Sequence, residues 1–90
     1  HAVGVWGNNG EGFVCKYGLQ KKVFACIYTY GKAAGLHGAA ITGSEALRAY
    51  LINFARPFIY STALPPHASQ QLKSAYFLFS EIKRQPLLYL

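Results

Sequence analysis

The chain has 90 residues, 52% of them hydrophobic and 13% charged, which allows one small domain that expects to bury much of itself. Nine basic residues against three glutamates give a net charge of +6. The basic residues are scattered apart from Lys21–Lys22 and Lys83–Arg84, which argues against the basic stripe with interleaved aromatics that nucleic acid calls for. No run approaches the roughly 20 apolar residues of a membrane span.

Cys15 and Cys26 are too few and too far apart for a metal cluster and form no CxxC pair, so no metal is expected. They read as two small buried hydrophobes in a reducing compartment, and the expected location is cytoplasmic. The chain starts at His1 and ends on the apolar "QPLLYL". On that ground residues 1–90 are read as a single piece of a longer protein.

In chain order, "GVWGNNGEG" (4–12) is rich in glycine and asparagine and predicts a loop. "FVCKYGL" predicts a short helix stopped by Gly18. "KVFACIYT" (22–29) predicts a strand buried on both faces, and hence a sheet with helices on both sides. "AAIT" suits a second short strand. Ser44 is placed as an N-cap with Glu45 in the first helical turn, and Leu47, Tyr50, Leu51 and Phe54 then fall on one helix face. Pro57 should end that helix, and Arg56 should be a cation at its end. "FIYST" (58–62) predicts a third strand. A last helix begins at the prolines of "LPPHAS" and carries Leu72, Ala75, Tyr76, Phe79 and Ile82 at helical spacing. Strands alternating with helices in this way predict a three-layer α/β domain.

Lys32 is the one charged residue of "IYTYGKAAGLHGAAI" (27–41). It follows the predicted strand, with a glycine before it and two alanines after it. Small neighbours leave room for a ligand, and strand ends of open α/β sheets are where ligands bind. A nucleophilic amine must be neutral part of the time, which a partly desolvated position favours. Thr29, three residues earlier, offers a hydroxyl to a phosphate of the same ligand. The competing reading is a solvated lysine in a glycine-rich turn of a non-catalytic α/β binding module.

"TYGKAAG" (29–35) resembles the pyridoxal-phosphate lysine motif of the α-oxoamine synthases. "HAVGVWGNNGEG" (1–12) and "NFARPFIYSTALPP" (53–66) resemble two further segments of that family, in its order and spacing. The resemblance implies fold type I, with residues 1–90 as the later half of the large cofactor domain. It implies pyridoxal 5'-phosphate as cofactor, attached to Lys32, which then acts as acid and base at the substrate's α-carbon. It further implies that His1 hydrogen-bonds the 3′ oxygen of the cofactor ring and that Thr29 holds the phosphate. Thr62 would hold the phosphate of the neighbouring subunit in a homodimer. Family members condense an amino acid with an acyl thioester and release carbon dioxide. "GAAITGS" and "LINFARPFIYSTALPP" look most like the member that joins L-alanine to a pimeloyl thioester. Members that acylate glycine with acetyl or serine with palmitoyl groups are the alternatives. His37 and His67 match no functional position, and Ala34 stands where the family has a larger apolar residue, which should loosen packing behind the lysine.

Overall fold

The computed structural model describes residues 1–81. Its elements are α1 (Phe13–Lys16), β1 (Ala25–Thr29), β2 (Ala39–Gly43), α2 (Glu45–Phe54), α3 (Arg56–Ile59) and α4 (Pro66–Glu81). The α/β character is as expected, and the sheet among the described residues is a two-stranded antiparallel one. Its register pairs Ala25 with Gly43, Cys26 with Thr42, Ile27 with Ile41, Tyr28 with Ala40 and Thr29 with Ala39.

Because side chains alternate across a strand, Cys26, Tyr28 and Thr42 share one face and Ile27, Ile41 and Gly43 the other. α1 lies over the first face across a cavity of about 510 Å³ lined by Cys15, Cys26, Tyr28 and Thr42. α4 reaches the same face, where Tyr76 and Phe79 line a second cavity with Tyr28. α2 takes the opposite face: a Cβ on Gly43 would stand 2.6 Å from Leu47 Cδ2. Helices therefore flank the sheet on both sides.

Three local expectations are corrected. The first strand starts at Ala25 rather than Lys22, and it is half-buried rather than buried on both faces, since Ile27 and Thr29 are exposed. "FIYST" is not a strand. Ala55 takes an extended conformation (φ −73°, ψ 103°), and Arg56–Ile59 then form the short α3 with Pro57 in its first turn. A proline there has its φ set for a helix and lacks only an N–H that the helix leaves unbonded, which outweighs the β preference of Phe58, Ile59 and Tyr60. The break after α2 thus falls at Ala55, one residue before Arg56. Arg56 opens α3 and sets its guanidinium 5.8 Å from the Tyr60 ring centroid, instead of closing α2.

The loop, stop and cap readings hold, whereas Cys15 and Cys26, expected to be buried, are only half-buried. The 4–12 segment is a loop, α1 is followed by Gly18 at φ +63°, and Ser44 Oγ accepts the Leu47 N–H at 3.1 Å. On α2 only Leu47 and Leu51 of the predicted face are half-buried, while Tyr50 and Phe54 are exposed. On α4, Leu72, Ala75 and Phe79 are half-buried and Tyr76 is exposed. Ile82 lies outside the described residues. Among the described residues Ala68 is the buried hydrophobic one, and many large apolar side chains, Phe24, Ile27 and Phe58 among them, remain exposed. Among the described residues no helix is long and apolar enough to cross a membrane.

Candidate active site

The connection between β1 and β2 carries Lys32. Its base is closed by Tyr30 N–H donating to Gly38 O at 3.0 Å and Leu36 N–H donating to Tyr30 O at 2.9 Å, and its tip by Gly35 N–H donating to Lys32 O at 2.9 Å. The lysine therefore stands on a hydrogen-bonded turn one strand-end away from Thr29. Both side chains are exposed. The partly desolvated setting expected for Lys32 is not met among the described residues. Within the turn Ala34 and Leu36 are half-buried.

His1 opens the loop 1–12, which is bonded onto itself. Ala2 O accepts from Val5 (3.1 Å) and Trp6 (2.8 Å), Gly4 N–H donates to Gly10 O (2.8 Å), and Gly12 N–H donates to Trp6 O (2.9 Å). Glu11 adds its carboxylate, which accepts the backbone N–H groups of Asn8 (3.1 Å) and Asn9 (2.7 Å). This satisfies donors that a glycine-rich loop would otherwise leave to water. The loop meets the Lys32 turn directly, because a Cβ on Gly4 would stand 2.7 Å from Ala33 Cβ.

Thr62 lies in the irregular stretch between α3 and α4 and is exposed. Two residues on, Leu64 packs against Gly38, where a Cβ would stand 3.0 Å from Leu64 Cδ1. The segments of His1, Lys32 and Thr62 are thus brought together through Ala33–Gly4 and Leu64–Gly38. Among the described residues no hydrogen bond joins the side chains of His1, Thr29, Lys32 and Thr62 themselves.

An aromatic chain behind the turn escaped the sequence reading. Tyr30 and Tyr76 meet edge to face at 6.3 Å, and Tyr76 and Phe79 do the same at 6.3 Å. Burial, then the neighbouring Tyr76 hydroxyl, raises the Tyr30 phenol above its ordinary pKa. The Tyr28 phenol is raised as well, first by the Cys26 thiol and then by burial. Tyr30 and Tyr76 are 46 positions apart in the sequence numbering, so the only signal available beforehand was the helical spacing of Tyr76 and Phe79. Ala34 lines an open cavity of about 420 Å³ shared with Leu36, His67 and Leu78. His37 and His67 are exposed.

The family model for aminotransferase class I and II matches residues 1–85. The chain is 41% identical over 87 residues to 8-amino-7-oxononanoate synthase of Emericella nidulans, covering 97% of this chain and 21% of that protein. It is 51% identical over 67 residues to the synthase of the same name from Cellvibrio japonicus, covering 73% of this chain and 17% of the relative. The crystal structure of 8-amino-7-oxononanoate synthase from Francisella tularensis superposes with a TM-score of 0.71 at 42% identity, over 84% of this chain and 24% of that one. The chain spans about a fifth of the length of these relatives.

Proposed function

We propose a function from one premise: this chain belongs to the aminotransferase class I and II family and is an α/β piece of its type I fold. It is the lysine-bearing part of a pyridoxal-phosphate-dependent acyltransferase. Its similarity to 8-amino-7-oxononanoate synthases supports the reaction in which L-alanine and a pimeloyl thioester condense with loss of carbon dioxide.

The observation that carries this reading is the junction at Ala33. A turn bearing an amine sits against the segment bearing an imidazole, and the hydroxyl of Thr29 closes the adjoining strand. The donor set fits the cofactor. An amine can take its aldehyde carbon, a strand-end hydroxyl its phosphate, and an imidazole its ring oxygen. When bound, pyridoxal phosphate supplies an electron sink for negative charge developing at the α-carbon of the amino acid.

The rest falls to this chain's own residues. Lys32 Nζ would be the covalent anchor, and afterwards the base that removes a proton at the α-carbon and the acid that returns one. The hydrogen-bonded turn under it seats against the segment of His1, whose imidazole would donate to the ring oxygen of the bound cofactor. Thr29 would donate to the phosphate. We assign Thr62 to the phosphate bound by the partner subunit of a homodimer, and the cysteine usage supports a cytoplasmic location.

The test is chemical labelling. The full-length protein is incubated with pyridoxal phosphate, reduced with borohydride and mapped by peptide mass. The pyridoxyl group is expected on Lys32, and Lys32→Ala is expected to abolish both that label and turnover of alanine with pimeloyl thioester. Undiminished turnover in the alanine variant would overturn the assignment.

A further inference from the structure

Gly4 is buried and its backbone lies at φ +82°, a conformation side chains rarely adopt. A Cβ there would stand 2.7 Å from Ala33 Cβ, 3.2 Å from Phe79 Cζ and 3.4 Å from Phe79 Cε1. The first distance is shorter than real Cβ contacts, and neither partner has a flexible end that could swing aside. Ala33 consists of its Cβ alone, and Phe79 is held edge to face by Tyr76, which in turn contacts Tyr30 at the base of the Lys32 turn. The backbone on both sides is bonded too: Gly4 N–H to Gly10 O, and the turn through Lys32 O and Tyr30 O. A side chain at position 4 can therefore be accommodated only by moving the His1 loop or the Lys32 turn.

We infer that Gly4 is a positioning residue for Lys32: the side chain it lacks sets how closely the lysine-bearing turn seats against the His1 segment. Gly4 has no side chain that could act on the cofactor. It lies three residues after His1 and contacts the residue after Lys32, so it fixes the separation of the two groups through the backbone. The inference rests on the reading of Lys32 as the cofactor anchor, and the experiment separates the two.

Full-length wild type, Gly4→Ala, Ala33→Gly and the double variant are incubated with limiting pyridoxal phosphate and reduced with borohydride. The label on Lys32 is measured relative to Lys16, Lys21, Lys22 and Lys73 of the same molecule, and folding is followed by circular dichroism. Wild type should label chiefly at Lys32. Gly4→Ala should lower the Lys32 ratio on the order of tenfold to a hundredfold, the range that misplacement by about an ångström produces. Ala33→Gly added to Gly4→Ala should restore a measurable part of it, because the colliding Cβ is then gone while the φ +82° strain and the Phe79 contact remain. If Gly4→Ala fails to fold, recovery of folding and of part of the Lys32 ratio in the double variant is the expected result. A double variant as defective as Gly4→Ala overturns the contact as the cause, leaving backbone strain alone. A Lys32 preference that survives Gly4→Ala overturns the positioning role while leaving the anchor intact. Wild-type protein without any preference for Lys32 sinks the anchor reading itself, and the positioning role with it.

Discussion

Tyr28 and Tyr30 show how single residues register this geometry. Both phenols are pushed above the ordinary value of 10.0, Tyr28 chiefly by the Cys26 thiol and Tyr30 chiefly by burial. A phenol with a raised folded-state pKa favours the folded state through its neutral form. The contribution is complete below the unfolded value of about 10 and is lost as pH rises through the raised one. In a spectrophotometric titration, Tyr28→Phe and Tyr30→Phe should each delete phenolate absorbance from the high-pH end of the curve. If the lost absorbance instead comes from the bulk of the transition, neither environment is as described. The unfolding midpoint should fall as pH rises from about 10 through the raised values, less so in the two phenylalanine variants.

At the scale of elements, α2 depends on its cap more than on its buried face. Ser44 takes an extended conformation and its Oγ accepts the Leu47 N–H, while Glu45 sits in the first turn, where the helix end favours negative charge. The Glu45–Arg48 ion pair at 2.7 Å is exposed on both sides and should add little. Ser44→Ala is therefore expected to cost about 1 kcal/mol, read as a lower denaturant midpoint at unchanged slope, whereas Arg48→Ala should leave the midpoint nearly where it was. Equal losses in the two variants would show that the ion pair, not the cap, holds the helix start. The short α3 teaches the complementary lesson. Propensity favoured a strand over 58–62, but strand preference is realised only against a partner strand, and a proline set for the first turn of a helix needs none.

For the whole molecule, the exposure of so many large apolar residues accords with a chain that spans about a fifth of its relatives. Thr62 is the residue whose role depends most on assembly. Within one chain Leu64, two residues after Thr62, seats against Gly38 at the base of the Lys32 turn, so the proposed service to a partner's phosphate has service to the chain's own site as its alternative. Mixing decides between them. Full-length Lys32→Ala and Thr62→Ala, each impaired at limiting cofactor, are unfolded and refolded together. With Thr62 acting across a dimer, mixed dimers contain one site with both residues intact, and activity should recover to a fraction of wild type. Mixed dimers that form but stay as inactive as their parents would place Thr62 in its own site.

The sequence by itself determined what depends on neighbours along the chain. The glycine-dense loop at 4–12, the stop at Gly18, the cap at Ser44 and the start of α4 at its prolines follow from backbone chemistry acting over a few residues. Motif order carried the family in the same way. Tertiary structure decided the rest, because it turns on contacts between distant positions: how much of β1 is covered, the helix at Arg56–Ile59, the aromatic run from Tyr30 to Phe79, and the closeness of Ala33 to Gly4. The exposure of Lys32 belongs with these. Desolvation is a property of what surrounds a side chain in space, and 29 positions separate Gly4 from Ala33 in the sequence numbering, so no local pattern could report that the loop and the turn meet at a missing side chain.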